Sequence, residues 1–295
     1  MGQSSYSLNS RSIRATTSGF YTKPVDEVFE QNKKKEIHDL MDPKGIRLRE
    51  ARDSSIHPAT KPIVLGLDVT GSMGRIPHYL VKDGLPHLMG TIIENGVPDA
   101  ALMLIAVGDG LKDNYPLQVS QFESGDAELD NWLTKTYIEG GGGGNGGESY
   151  SLVWYFAANH TITDSWEKRK EKGLLFTVGD EPCHKELTRG ELSRIMGSAT
   201  ENNFTDKQLL EAAQKTWDVY HLHILQGSDG MNSLHYWKEL LGDHCISVSD
   251  YKDVSKVIAD IVVKNTKKIA TVAAPSLATP TSISNSDTKK EESML

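Results

Sequence analysis

The chain is poor in cysteine and has no long apolar run. Its 295 residues include two cysteines, Cys183 and Cys245, which stand far apart and lack metal-type spacing. This argues against a disulfide framework and against a zinc cage, and it favours a reducing compartment. No run approaches the roughly 18 apolar residues of a membrane helix, and the N-terminus lacks the apolar stretch of a signal peptide. We therefore expect a cytoplasmic protein without membrane contact.

The chain also lacks an excess of positive charge. Its net charge is −8, and residues 1–60 hold ten Lys or Arg against eight Asp or Glu, so the negative charge lies in the remainder. An acidic body repels phosphate groups, and a nucleic-acid partner is therefore not expected. With 38% hydrophobic residues the chain can bury a substantial core.

Four segments differ in composition. Residues 1–23 are rich in Ser, Thr and Arg without periodicity, which predicts a flexible N-terminal arm. Residues 24–59 show short helical patterns and too few apolar positions for a core, which predicts a helical extension. Residues 60–268 have the pattern of a single domain. The Pro-, Ser- and Thr-rich tail of 269–295 predicts disorder.

Apolar runs alternate with amphipathic segments across residues 60–268. The runs typical of strands buried on both faces are KPIVLGLDVT, ALMLIAVGDG, LLFTVGDEP, VYHLHILQG and HCISVSD. Apolar residues at helical spacing predict helices at 76–94, 148–159, 206–216, 233–241 and 252–264. The alternation predicts an α/β fold, with a doubly wound, mostly parallel sheet flanked by helices and a ligand site at the carboxyl ends of its strands.

The first apolar run ends in a loop that suits a hard cation. Asp68, Thr70 and Ser72 place a carboxylate and two hydroxyls on one tight turn, where Gly71 lets the backbone bend closely. Oxygen ligands of this kind are what Mg²⁺ prefers. The pattern is short, and a helix cap by Thr70 or Ser72 explains it as well.

Two later loops carry further candidate ligands. A glycine run precedes Asn145, Glu148 and Ser149, and Glu148 stands where a phosphate loop would need lysine, so the loop suits a cation rather than a phosphate. Another strand ends at Asp180, with His184 four residues later in the same loop. We expect the doubly wound sheet to bring these loops beside the first one.

Asp109 follows a further strand and is expected on the same face of the sheet, although an ordinary turn Asp explains it equally well.

Together the three loops resemble the von Willebrand factor A domain with a metal-ion-dependent adhesion site, in its hemicentin-like branch. Asp68-x-Thr70-x-Ser72 matches the first motif of the family, with Thr where Ser is commoner. GGGGNGGES is similar to the Gly-Gly-Gly-Asp-x-Pro-Glu loop of that branch, and GDEPCH to its Asp-Ala-Pro-Pro-His element. The resemblance implies that Thr70 and Ser72 touch the metal, while Asp68 and Asp180 act largely through water. In the second loop the usual Thr ligand has no match, and Asn145 replaces Asp.

The predicted metal is Mg²⁺, or else Mn²⁺ or Ca²⁺. The candidate metal ligands are Asp68, Thr70, Ser72, Asn145, Glu148 and Asp180. Side chains expected beside the metal or against a partner are Asp109, Ser149 and His184.

The leading functional hypothesis is a non-enzymatic protein-interaction module whose metal binds an Asp or Glu of a protein partner. The resemblance further implies that the protein works within a multiprotein assembly, such as one run by an AAA-type ATPase. One alternative is an assembly protein, of a phage or another particle, in which the N-terminal arm and the helical segment 24–53 make the essential contacts and the metal only stiffens loops. The other is a metal-dependent hydrolase, for which Glu148 is the sole candidate base.

Overall fold

The structure is a computed structural model that describes residues 4–20, 22–141, 145–197, 201–227 and 230–273. The strands are β1 (Arg49–Ala51), β2 (Lys61–Asp68), β3 (Ala100–Val107), β4 (Leu117–Val119), β5 (Thr161–Thr163), β6 (Gly173–Gly179), β7 (Glu186–Leu187), β8 (Phe204–Thr205), β9 (Trp217–Ile224) and β10 (Cys245–Val248). The helices are α1 (Leu8–Ser18), α2 (Val25–Val28), α3 (Glu30–Lys34), α4 (Ile76–Tyr79), α5 (Leu85–Glu94), α6 (Asp126–Thr134), α7 (Ser151–Asn159), α8 (Asp164–Arg169), α9 (Arg189–Met196), α10 (Asp206–Ala213), α11 (Gly230–Leu241) and α12 (Val254–Ala273).

A six-stranded sheet forms the centre of the molecule, in the order β10-β9-β6-β2-β3-β4. Neighbouring strands are parallel except for β3 and β4, which pair antiparallel. All five apolar runs identified in the sequence lie in this sheet, which confirms the predicted α/β fold with a mostly parallel sheet. The edge strand β4 was not predicted, because three residues give too short a pattern.

Helices cover both faces of the sheet, and its central strands β2 and β6 are therefore buried along their whole length. Every residue of β2 is buried, and its side chains alternate between two hydrophobic clusters. Ile63 and Leu67 pack with α5 and α12, whereas Val64 packs with α7, α10 and α11. A methyl group at Gly66 would lie 2.8 Å from Val153 Cγ2 in α7. The helix therefore packs directly on the backbone of β2.

The helices predicted from periodicity are present with shifted ends. Residues 76–94 contain α4, a π-helical turn at Leu80–Gly84 and α5. The segment predicted at 148–159 becomes helical only at Ser151, where α7 begins. Among the described residues, no helix is both long and apolar enough to cross a membrane.

Residues 8–18, which fall in the predicted flexible arm, form helix α1 instead. The helix lies against α6, where Arg11 Nε is 3.0 Å from Asp130 Oδ1 and Arg14 Nη1 is 2.7 Å from Asp126 Oδ2. These partners lie 119 and 112 residues away along the chain. A local pattern cannot reveal such contacts, and the composition alone therefore predicted disorder.

The predicted extension at 24–59 contains short helices and β1, which pairs in parallel with β5. Arg52 Nη1 lies 2.8 Å from Asp164 Oδ1 at the start of α8, so the extension is fastened to the rest of the fold. Of the predicted tail at 269–295, residues up to 273 continue α12 and the remainder lies outside the described residues. The division of the chain into an extension, a domain and a tail stays a prediction.

Candidate metal centre

The carboxyl ends of three neighbouring strands bring the predicted loops together. Asp68 ends β2, Asp180 directly follows β6, and Asp109 follows β3 by two residues. Because β2 lies between β6 and β3, Asp68 occupies the middle of this edge. All three carboxylates are buried. Parallel strands therefore place three acidic side chains side by side, as the sequence predicted.

Two hydroxyl groups lie between two of these carboxylates, and each donates a hydrogen bond to one of them. Thr70 Oγ1 donates to Asp68 Oδ1 at 2.6 Å, and Ser72 Oγ donates to Asp180 Oδ1 at 2.8 Å. The two hydroxyl oxygens lie 3.2 Å apart. Since each hydroxyl hydrogen points to a carboxylate, the oxygen lone pairs of Thr70 and Ser72 can face one common point. This is the arrangement that a hard cation requires of two neutral oxygen ligands.

Asp68 is also held by a residue that the sequence analysis did not single out. The hydroxyl of Tyr150 donates to Asp68 Oδ2 at 2.5 Å, and the backbone N–H of Thr70 donates to Asp68 Oδ1 at 2.9 Å. Tyr150 stands at the start of an amphipathic helix, where an aromatic residue is expected to fill the core. No local signal distinguished it from an ordinary core residue.

Asp109, Asn145 and His184 form a second, adjoining group. Asn145 Nδ2 donates to Asp109 Oδ2 at 2.5 Å, and His184 Nε2 lies 3.0 Å from Asp109 Oδ1. Burial would raise the pKa of Asp109, but hydrogen bonds from His184, the Leu111 N–H and Asn145 outweigh it and lower the pKa. These contacts tie three loops to each other.

Ser149 contributes to the same group, because its Oγ accepts from the Gly110 N–H at 2.8 Å.

Glu148 is a carboxylate with no hydrogen-bond partner among the described residues. Its side chain is 0% exposed, and both oxygens lack a donor. Burial raises its pKa far above the ordinary value of 4.5, and the negative charges of Asp68 and Asp109 raise it further. A buried carboxylate of this kind is costly unless a proton or a cation neutralises it.

Asp113 adds to the negative charge, although the sequence analysis did not identify it. It is 7% exposed, and its Oδ2 accepts from the Asp109 N–H at 2.8 Å. A methyl group at Gly108 or at Gly141 would lie 2.3 Å from an Asp113 oxygen. The glycines of these loops therefore allow the backbone to approach the carboxylate closely.

The donor set fits a hard divalent cation, on two observations. The hydroxyls of Thr70 and Ser72 are oriented by carboxylates, and Glu148 is buried near Asp68 without a hydrogen-bond partner among the described residues. Three or more His, Cys, Asp or Glu side chains do not converge as a metal cage anywhere in the described ranges. A cation here would therefore use hydroxyl oxygens and water for part of its coordination, as Mg²⁺ commonly does.

No protein-family model matches the sequence, and no curated protein matches it. The fold is similar to that of the pilus adhesin SpaC from Lactobacillus rhamnosus GG in its open conformation, with a TM-score of 0.52 and 10% identity. The match covers 74% of this chain and 31% of the adhesin.

Two further similar structures carry names that refer to the von Willebrand factor A fold or its metal motif. One is a von Willebrand factor type A protein from Catenulispora acidiphila, with a TM-score of 0.41, 12% identity, and coverage of 70% of this chain and 43% of that one. The other is proximal thread matrix protein 1 of the mussel byssus with a zinc-occupied MIDAS motif, with a TM-score of 0.45, 10% identity, and coverage of 73% and 49%.

At TM-scores below 0.5 these two matches support no argument about this chain, and at 10% identity the adhesin supports the fold alone. This chain spans less than half the length of each of the three proteins. The adhesin match thus agrees with the mixed α/β fold built on a mostly parallel sheet, and the similar structures include domains of the von Willebrand factor A type.

Proposed function

We propose that the chain carries a von Willebrand factor A domain of the hemicentin-like branch, which binds a divalent cation and, through it, an acidic residue of a protein partner. The observation that carries the proposal is the arrangement of the Thr70 and Ser72 hydroxyls, which lie 3.2 Å apart and donate to Asp68 and Asp180. It spans the ends of β2 and β6 and orients two neutral oxygens toward one point. Mg²⁺ is the proposed cation, with Mn²⁺ and Ca²⁺ as the other hard ions that such oxygens accept.

Charge supports the second half of the proposal. The two hydroxyls are neutral ligands, and a coordination position that they and water leave open can take the carboxylate of a partner, which a divalent cation attracts strongly where water is partly excluded. Ser72 is half-buried, and Gly71 and Gly74 beside it are exposed and have no side chain. A partner carboxylate can therefore approach the hydroxyl of Ser72 without a steric barrier from this loop.

The remaining parts of the proposal concern the partner and the setting. We propose that the partner is a protein of a multicomponent assembly, such as one run by an AAA-type ATPase, and that the domain has no catalytic role. A cytoplasmic location stays a prediction. The assembly-protein and hydrolase alternatives also stay predictions, since no contact of the described residues favours either one over metal-dependent binding.

Titration calorimetry of Mg²⁺ and Mn²⁺ into the metal-free full-length chain tests the metal site. We expect one binding site per chain, and we expect Ser72→Ala and Asp68→Asn to weaken it by at least about tenfold. Ser193→Ala removes an exposed hydroxyl from α9 and serves as the matched control. A wild-type chain that binds neither metal would contradict the proposal, and full affinity in Ser72→Ala would place the cation elsewhere.

Selection from a random peptide library displayed on phage tests the partner chemistry. The library is bound to the chain in Mg²⁺ and eluted with EDTA, and we expect the recovered peptides to share an Asp or Glu that cannot be replaced by Asn or Gln. Recovery of peptides without a required acid, or of peptides that bind equally well in EDTA, would refute recognition through the metal.

A further inference from the structure

Tyr150 is buried at the contact between the candidate metal centre and helix α11. Its side chain is 0% exposed, and its hydroxyl lies 2.5 Å from Asp68 Oδ2. The ring stands edge-on to His221 and to Trp237, with centroid distances of 5.4 and 5.3 Å. A methyl group at Gly179 would lie 1.8 Å from the Tyr150 hydroxyl oxygen, so only glycine leaves room for it there.

The rings around Tyr150 are themselves fixed by hydrogen bonds and stacking. Trp237 Nε1 donates to the backbone oxygen of Glu181 at 2.9 Å, and the Trp237 ring stacks on His221 at 3.5 Å. His221 Nε2 lies 3.2 Å from His223 Nδ1, and His223 Nε2 lies 2.6 Å from the backbone oxygen of Gly230. The position of the Tyr150 hydroxyl is therefore set by the packing of β9 and α11.

This hydroxyl completes the hydrogen bonding of Asp68. Asp68 Oδ1 accepts from the N–H and the hydroxyl of Thr70, and Asp68 Oδ2 accepts from Tyr150. With donors on both oxygens, the carboxylate has one favoured orientation. That orientation holds the Thr70 hydroxyl hydrogen away from the side on which Ser72 Oγ lies.

We propose that Tyr150 is a positioning residue of the cation site, acting through Asp68 to keep the lone pairs of Thr70 directed at the cation. The inference rests on the proposed function, since it concerns the same site. Without the phenolic hydroxyl, Asp68 Oδ2 is buried with no hydrogen-bond donor among the residues that the structure describes. The carboxylate then turns to recover a donor, and Thr70 loses the acceptor that orients it.

Magnesium affinity of Tyr150→Phe, measured by titration calorimetry on the full chain, tests this role. We expect a loss of about 10–100-fold, the range found when a hydrogen bond to a metal-orienting group is removed. Tyr236→Phe is the matched control, because the half-buried Tyr236 donates its hydroxyl to Asp206 Oδ2 at 2.8 Å outside the site. We expect its affinity to equal that of the wild type.

A double-mutant cycle separates positioning from a general weakening of the fold. In a Thr70→Ala background the hydroxyl that Tyr150 orients is already absent, so we expect Tyr150→Phe to cost far less there than in the wild type. Equal losses in both backgrounds would show a structural effect and overturn the inference. Wild-type affinity in Tyr150→Phe would also overturn it while leaving the proposed function intact. Absence of binding in the wild type would instead remove the proposed function itself.

Carbon-13 NMR of the wild type, labelled at tyrosine Cζ, gives an answer even if Tyr150→Phe does not fold. We expect the Tyr150 resonance to shift on saturation with Mg²⁺, because the bound cation changes the electrostatic environment of Asp68, which accepts the hydrogen bond of the Tyr150 hydroxyl. We expect the Tyr236 resonance to stay in place. A Tyr150 resonance unchanged by Mg²⁺, in a chain that calorimetry shows to bind it, would refute the positioning role.

Discussion

Replacement of Glu148 by Gln tests whether the buried acidic group is built for a cation. The unfolded chain ionises this carboxyl with an ordinary pKa of 4.5, whereas burial and neighbouring carboxylates raise the pKa in the folded chain. At pH 7 the carboxyl is ionised in the unfolded chain but protonated in the metal-free folded chain, and holding that proton above the ordinary pKa costs about 3 kcal/mol of stability. A neutral amide of similar size avoids this cost. We therefore expect Glu148→Gln to raise the free energy of unfolding in EDTA by about 2–3 kcal/mol at pH 7.

The size of the effect depends on pH and on metal. Below pH 4.5 Glu148 is protonated in both the folded and the unfolded chain, so its raised pKa does not lower the stability of the wild type. Above pH 4.5 the unfolded chain ionises this carboxyl, and the stability of the wild type falls progressively. The advantage of Glu148→Gln is therefore absent at pH 4 and grows toward pH 7. Mg²⁺ at about 100 times its Kd adds about 2.7 kcal/mol to a chain that binds it, and we expect the wild type to gain more than the variant. The assay is urea unfolding at each pH, with the exposed Glu186→Gln as control. Equal stability of variant and wild type in EDTA at pH 7 would refute the reasoning.

Three further changes test other contacts. In Gly227→Ala the new methyl would lie 2.2 Å from Asp180 Oδ2, so we expect calorimetry to show weakened Mg²⁺ binding, whereas Gly45→Ala, with nothing within 4 Å, should bind normally. Burial raises the pKa of Asp164, but hydrogen bonds from two cationic side chains lower it to about 2. We therefore expect Asp164→Asn to lower the free energy of unfolding at pH 7 by about 1–2 kcal/mol, a value discounted for solvent screening. Urea unfolding curves should show this loss disappearing as the pH falls from 3.8 to 2. Asp130→Asn weakens both arginine contacts of α1, and we expect this to lower the free energy of opening α1 by about 1–3 kcal/mol. Limited proteolysis should then cut α1 faster, and an unchanged cleavage rate would contradict this.

The sequence predicted the sheet and the first loop because their causes are local. Strands buried on both faces need continuous apolar runs, and a turn after such a run places Asp68, Thr70 and Ser72 on one loop whatever the distant contacts are. Tyr150 could not be predicted in the same way, since its role comes from a contact with a residue 82 positions earlier in the chain.

The second loop shows where pattern and geometry diverge. Asn145 and Glu148 stood three residues apart and were both assigned to the metal, yet Asn145 donates to Asp109, while Glu148 has no hydrogen-bond partner among the described residues. Spacing along a glycine-rich loop does not fix which way a side chain turns, because each glycine permits several backbone directions. Their assignment as metal ligands stays a prediction for the titrations to test.

The short edge strand β4 has a consequence for the chain during synthesis. The strand β3 is apolar and buried along all eight residues, and its open flank would be a template for pairing with another copy of the chain. β4 covers that flank with three residues, and the hairpin that joins the two strands needs only the segment 108–116. A local hairpin closes in microseconds, long before the next parallel strand, β6, has been made. The order of the strands thus lets the chain protect part of this flank while most of the sheet is still unsynthesised.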